Sequence, residues 1–449
     1  MTFYRPKPRT EPRPAQRPAR PDTVEESGLH ARGSAHELSS APAEPPPGSI
    51  HARGGAQSSF EPREEAPREE KPREEKPRPA LLEETPRQDL PEAPADSYAE
   101  FGCEVNALAP DRLLDHYARS RLLYAEKAAR LEPFMPLVLD NWERAAAAGS
   151  SLLRVVFRRT PDDGLASMAT WRCTWTCWHA QHLVGSGPPE AVRAVILASQ
   201  KTTMREGRFG AVQMWFRPDH PYMGRVFGTL GEWMPPGTGS VEPGDYLMVP
   251  LPVARSLADP DDHDASTTEW DGAGACAELA SLAVRTRGVL YARAEELWTD
   301  DLLLTALDLL YRRVGLRRRR RIWLHPDERG RLSGAALAHE GPLGLNLSLL
   351  ENRLDLLVDP GLDAARAERV VRRLLPRACE AYESFPLGAI PVATDARTGR
   401  FLRAAGAEPV APYSRAIWLA EGYADFYRHI DELYGRPGAG AASERRAGP

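Results

Sequence analysis

The sequence predicts an α/β protein with a mixed sheet (an α+β arrangement repeated in two tandem domains), behind an N-terminal arm that does not fold. Three observations predict it. Two eight-residue stretches match in type and surroundings, helical and strand-like periodicities alternate over about 340 residues, and composition changes sharply near residue 97.

The matching stretches are Gly-Arg-Val-Phe-Gly-Thr-Leu-Gly from Gly224 and Gly-Arg-Phe-Leu-Arg-Ala-Ala-Gly from Gly399. Each follows a strand-like run opening on an apolar residue and glycine, Phe209-Gly210-Ala211-Val212 and Leu387-Gly388-Ala389-Ile390. Each run follows a helical segment, and each helix a Leu-Val-x-x-Gly turn, Leu183 to Gly187 and Leu357 to Gly361. The offsets are 174 residues for the turns, 178 for the runs and 175 for the glycine pairs. A repeat of that length is one whole domain duplicated, with short loop insertions between copies.

Residues 1–97 hold 18 of the 42 prolines and no apolar periodicity beyond Leu81-Leu82. Between Pro62 and Pro77 the unit Pro-Arg-Glu-Glu recurs, followed by Ala or Lys. Such a segment cannot bury enough apolar surface to offset the entropy of ordering. It is expected to be a tether or solubility tail, with a docking peptide as the alternative. The expected division is then a first domain over 98–255, a linker over 256–275, a second domain over 276–435 and a disordered tail over 436–449.

Within the first domain, Leu113, Leu114, Tyr117, Leu122 and Leu123 recur near the helical period from Asp111. Helices are expected again over Leu137 to Ala148 and Glu190 to Met204, and strands over Ser151 to Arg158 and Val212 to Phe216. Ser167 to Ala180 alternates, with Trp171, Cys173, Trp175 and Cys177 on one face, and predicts one long strand. Residues 235–275 are rich in Pro, Gly, Asp and Thr; apart from a strand over Leu247 to Val253 they are expected to connect the domains. The second domain is expected to open with a strand over Gly288 to Ala292 and a helix over Asp300 to Val314. Strands over Arg319 to His325, Arg331 to Glu340 and Arg353 to Val358 follow. The chain then gives a helix over Asp363 to Tyr382, a strand over Ala389 to Thr394 and a helix over Arg397 to Ala405 closed by Gly406. A last strand over Tyr413 to Trp418 and a helix over Ala424 to Leu433 complete it.

No 18-residue apolar run or cleavable signal is visible, so neither a membrane span nor export is expected. The five cysteines are odd in number and scattered, which suits a reducing cytoplasm. A net charge of -5 argues against a general nucleic-acid binder.

The string Ala389 to Val392, then Asp395 to Gly406, then Glu408-Pro409 and Tyr413 to Trp418 resembles the end of a GNAT-type acyltransferase. The resemblance implies that Arg331 to Glu340 and Arg353 to Val358 are the two central strands that splay apart to admit an acyl thioester. It also shows departures. The family's glycine-rich phosphate loop would fall at Val358 to Asp363, where Pro360 removes a donor and Asp359 and Asp363 would repel phosphate. In the first copy it would fall at Val184 to Pro189, again with two prolines. The tyrosine that often serves as general acid falls at Leu402 and at Phe227. Acetyl-CoA chemistry is therefore disfavoured, and the cofactor is left unassigned beyond an acyl thioester.

Glu340 to Leu347 is similar to a turn in GNAT-like N-acyl amino acid synthases, which take their acyl chain from an acyl carrier protein. The implied partners are that carrier protein and a small-molecule amine, with Glu340 as the base that takes the amine proton. The alternative for Glu340 is a charged residue at a strand end. Trp171 and Trp175 are candidates to line an acyl pocket, or simply buried core. Arg317 to Arg321 followed by Asn346-Leu347-Ser348 resembles the two-part signature of PilZ domains, which implies cyclic dinucleotide binding. Arg317 and Arg321 are then candidate anion ligands and Asn346 and Ser348 candidate ligand contacts, against the alternative of a solvated strand edge. Cys173 and Cys177 with His179 and His182 invite a zinc reading, but on one extended strand the two cysteines would lie about 13 Å apart, too far to share a metal. Two functions are carried forward: acyl transfer from a carrier-protein or CoA thioester to an amine, and a non-catalytic GNAT-like protein that binds a small ligand, cyclic dinucleotide or partner.

Overall fold

Adjacent residues on the strands are buried to opposite sides, and both sides are apolar; such a sheet must be covered on both faces. The computed structural model describes residues 96–204, 210–258, 266–270, 272 and 276–435. The arm expected over 1–97 (apart from residues 96 and 97), the tail expected over 436–449 and parts of the expected linker lie outside them.

In chain order come α1 (Asp96–Ala99), β1 (Glu104–Val105), α2 (Pro110–Arg119), α3 (Ala125–Leu131), α4 (Met135–Ala147), β2 (Leu153–Arg159), β3 (Leu165–Arg172) and β4 (Cys177–Ser186). They are followed by α5 (Pro189–Met204), β5 (Ala211–Phe216), α6 (Pro221–Phe227), α7 (Leu230–Trp233), β6 (Gly239–Pro250), α8 (Leu251–Ser256) and β7 (Thr268–Glu269). Then come α9 (Ala277–Arg287), α10 (Val289–Ala294), α11 (Thr305–Arg312), β8 (Arg319–Pro326), β9 (Leu332–Glu340) and β10 (Leu354–Val358). The last elements are α12 (Ala364–Ala378), β11 (Ala389–Thr394), α13 (Ala396–Ala404), β12 (Glu408–Leu419) and α14 (Tyr423–Gly435).

One mixed sheet of 12 strands runs in the order β1-β2-β3-β4-β5-β12-β6-β11-β10-β9-β8-β7. The pairs β4–β5 and β10–β11 are parallel. β6 lies between β11 and β12, antiparallel to both, and β12 lies between β6 and β5. The succession β3, β4, α5, β5, α6, β6 is matched in kind by β9, β10, α12, β11, α13, β12.

On β5 and β12, Val212, Met214, Phe216, Ala416 and Trp418 face a core that α5 and α14 complete. Ala211, Ile417 and Leu419 face the opposite core, with Leu113, Trp142, Leu282 and Leu307 from α2, α4, α9 and α11. α12 buries Ala367, Val370, Val371, Leu374, Leu375 and Ala378, one stripe at helical spacing, over Leu354, Leu356 and Val392. The first glycine of each matching stretch sits in the helix after a parallel strand. A Cβ on Gly224 would lie 2.9 Å from the Pro218 carbonyl oxygen, and one on Gly399 would collide with the Asp245 carboxylate. Both helices therefore approach a neighbouring segment more closely than a side chain allows.

Four expectations are corrected. The alternating run over Ser167 to Ala180 is a hairpin: Cys173 N–H donates to the Cys177 carbonyl at 3.0 Å, and the chain reverses through Thr174 to Thr176. Cys173 and Cys177 thus flank a tight turn and are not about 13 Å apart. Gly288 to Ala292 opens a helix, because a short apolar run fits either structure and Gly288 (φ +89) separates α9 from α10. Residues 239–250, expected mainly as connection, form a central strand despite Pro243 and Gly244, since pairing on both sides overrides local preference. Finally, β9 and β10 do not splay. They pair antiparallel from Leu354 opposite Ala338 to Val358 opposite Gly334, and the strands that part around a cavity are the parallel pair β4 and β5.

Candidate functional site

β4 and β5 are paired from Cys177 opposite Ala211 to Ala180 opposite Met214, where the pairing stops. β5 continues along β12, with Trp215 opposite Arg415 and Phe216 opposite Ser414. β4 continues along β3 through a bulge: Ala169 faces Gln181, but Ser167 faces Val184. His182 and Leu183 thus share one partner position, which bends the strand away. His182 holds a left-handed φ of +53, a conformation that persists in a non-glycine residue only where its surroundings fix it. Its Nε2 accepts a hydrogen bond from the Leu347 N–H at 3.1 Å, and its ring meets Tyr117 edge-on at 5.0 Å. Burial, helped by the charge of Lys127, holds the imidazole well below its ordinary pKa. The ring is neutral, with its proton on Nδ1.

The gap between the diverging strands is a cavity of about 430 Å³. Gln181 to Val184 and Met214 to Phe216 form its strand walls; Ser120 to Leu122, Tyr124 and Lys127 come from the α2–α3 connection and α3. Arg217, Asp219 to Met223, Asn346, Ser348, Leu350 and Tyr413 close the rest. Leu343 to Asn352, beyond β9, is fastened to this wall. Asn346 Nδ2 donates to Gln181 Oε1, and Gln181 Nε2 donates to the Leu345 carbonyl. Asn141 and the Trp142 indole donate to the carbonyls of Leu343 and Gly344 at 2.9 and 2.7 Å. The fully buried Glu351 accepts from the Gly344 N–H at 3.0 Å, and burial pushes its carboxyl up to about 8. Ser348 Oγ lies 3.3 Å from the Tyr413 hydroxyl, whose pKa burial raises.

The structure therefore brings Asn346 and Ser348 to the cavity but not the other candidates. Trp171 lies in the core against His179 at 5.2 Å. Trp175 sits in the β3–β4 turn, its N–H donating to Glu296 at 3.1 Å. Glu340 ends β9 and pairs with Arg319 at 2.6 Å. The arginine run alternates as a strand does: Arg318 and Arg320 are buried, Arg317 is exposed, and Arg321 is held by Glu269 at 2.6 Å and Glu380 at 3.3 Å. Arg317 and Arg321 do not line the cavity with Asn346 and Ser348. Lys127, Gln181 and Tyr413 line the cavity and were not candidates in the sequence, and His182, weighed there only as a metal ligand, lines it as well. Only the bulge geometry and the fold bring them together.

At the equivalent place beside β10 and β11, which pair over Leu354–Val392 and Asp355–Ala393, side chains leave little room. The Tyr291 hydroxyl donates to Asp355 at 3.1 Å and Arg285 meets Asp359 at 2.8 Å. About 10 Å³ remains beside Glu242, Asp355, Arg287 and Arg415, about one water's worth. Asp363 caps its own helix, accepting from the Arg366 N–H at 2.8 Å. Leu402 and Phe227 are both fully buried.

Among the described residues, Glu295, His339 and Asp355 are the trio close enough to share a cation. Arg353 already occupies that role, at 2.6 Å from Glu295 and 3.0 Å from Asp355. Burial would raise the Glu295 carboxyl, yet Arg353, His339 and Arg415 outweigh it and hold it at about 2. Burial and then Arg353 push His339 down to about 3. The trio is a satisfied ionic core.

No protein-family model and no curated protein matches the chain. Solved structures do. Among the solved structures the chain is similar to are GCN5-related N-acetyltransferases and an N-myristoyltransferase. A GCN5-related N-acetyltransferase-like protein from Streptococcus suis is 12% identical, with 65% of this chain and 99% of that one covered and a TM-score of 0.30. The enzyme from Kribbella flavida is 12% identical over 71% and 72%, with a TM-score of 0.27. Saccharomyces cerevisiae N-myristoyltransferase with bound myristoyl-CoA is 10% identical over 71% and 78%, with a TM-score of 0.31.

Proposed function

We propose that this chain transfers an acyl group from a thioester to an amine in the cleft between β4 and β5. One observation carries the reading: two adjacent parallel strands part around a cavity of about 430 Å³, at a bulge fixed by His182. In the fold that the sequence resembles, an acyl thioester enters between such strands. The same reading takes 98–255 and 276–435 as two copies of one unit, of which the first keeps an open cleft.

In the reaction the amine nitrogen bonds to the acyl carbon, the carbon–sulfur bond breaks, the amine loses a proton and the thiolate gains one. The Tyr413 hydroxyl, kept protonated by burial and adjoining Ser348, is the candidate donor to sulfur. A donor on a carrier protein suits the site better than CoA, because Pro188 and Pro189, at the start of α5, offer no N–H to a pyrophosphate. A second reading, binding without turnover, is favoured by the hydrocarbon side chains at Phe227 and Leu402.

The test is thiol release by the full chain given an octanoyl-pantetheine or octanoyl-CoA thioester and a primary amine. Saturable release, faster from the pantetheine thioester and lost in Val184→Trp, is expected. Release at the uncatalysed rate with both donors would leave only the binding reading. Undiminished release by Val184→Trp would move the chemistry out of this cleft.

A further inference from the structure

Lys127 is the unexplained charge of the cleft. It is 7% exposed and lines the cavity. Its nitrogen lies 4.9 Å from the centre of the Tyr124 ring, and among the described residues it has no hydrogen bond or ion pair. The charged groups that act on it are Arg130 and Arg217, both cations. Arg121, at φ +57, also lines the cavity, likewise without an anionic partner. The single carboxylate in the lining, Asp219, is already held by Arg217 at 2.6 and 3.1 Å. A buried ammonium without a counter-charge is costly, and the usual remedies are a paired anion or loss of the proton. The wall also carries apolar side chains, Leu122, Leu183, Met214 and Phe216 among them.

We infer that the cleft binds an organic anion, a carboxylate or phosphate head on an apolar body, with Lys127 as the inner ligand of the head and Arg121 as the outer one. The inference rests on the cleft assigned to acyl transfer and names the charge class of what it admits. It requires a ligand, but not turnover.

Isothermal titration of the full chain with octanoate, octyl phosphate and octanol tests it at low salt. Either anion is expected to bind at least about tenfold more tightly than octanol, as a charge-assisted contact in a partly buried site would give. The stronger of the two anions identifies the head. Lys127→Met should abolish the preference and Lys127→Arg should retain it, and a thermal melt checks that each variant is folded. The inference is overturned if octanol binds as well as the anions, if neither anion binds, or if Lys127→Met keeps the preference. Anion preference without thiol release would remove the acyl-transfer reading and leave this one; thiol release without anion preference would do the reverse.

Discussion

Replacing Lys127 with methionine is expected to make the unliganded protein more stable. Burial, reinforced by Arg130 and Arg217, pushes the ammonium down from its ordinary 10.5 to about 8. At about 1.4 kcal/mol per pKa unit, carrying the charge costs the folded state about 3 kcal/mol. Methionine keeps the length and apolar packing of the stem without the charge. Hydration from the cavity lowers the gain, so about 1–3 kcal/mol at pH 7 is expected. The sign of the pH dependence follows from the depressed value. The folded protein gives up this proton more readily than the unfolded chain, so stability from this site is complete above about 10.5 and is lost as pH falls through about 8. Urea unfolding of wild type and Lys127→Met at pH 7, 8.5 and 10 reads this directly, and the difference between the two proteins cancels other titrating groups. The methionine variant should lead at pH 7, and its lead should shrink towards pH 10. A variant less stable at pH 7, or a difference that does not move with pH, would refute the idea that Lys127 is an uncompensated buried cation.

Two further outcomes are expected. Arg353→Met leaves Glu295 and Asp355 buried without their shared partner; it should destabilise by about 3–5 kcal/mol, seen as a lowered thermal midpoint, and a change under about 1 kcal/mol would contradict the ionic core described. Glu351→Gln concerns the segment that walls the cleft. Because the Glu351 carboxyl is raised to about 8, its stabilising effect is full below about 4.5 and is lost as pH rises through about 8. Amide exchange at Gly344 to Leu347 should therefore quicken between pH 5 and 8.5 in the wild type, beyond the intrinsic rate, and not in the glutamine variant.

Much of the sheet was visible in period and punctuation. The two Leu-Val-x-x-Gly turns, the strands after them and the helices carrying Gly224 and Gly399 lie where the paired stretches predicted, because each signal is local: a turn, an apolar strand, a glycine at a close approach. The hairpin at Cys173 to Cys177 was hidden because alternation continues through a tight turn without a proline or glycine to mark it. The central strand over residues 239–250 was hidden for the opposite reason, since its proline and glycine look like a loop until two neighbours pair with it.

For the site, Asn346 and Ser348 were chosen through the resemblance to the PilZ signature, and they line the cavity without the arginines that the signature pairs them with. Glu340 was chosen by position along the chain, and position along the chain does not say which strands part. That was decided by the register of β4 and β5, the bulge at His182 and the way β12 draws β5 aside. The sequence by itself determined most of the elements and their order. The open cleft, the narrow space beside β10 and β11, and the lone ammonium of Lys127 came from tertiary structure alone. Each depends on groups distant in the chain that meet only when the sheet closes, and on burial, which a sequence does not carry.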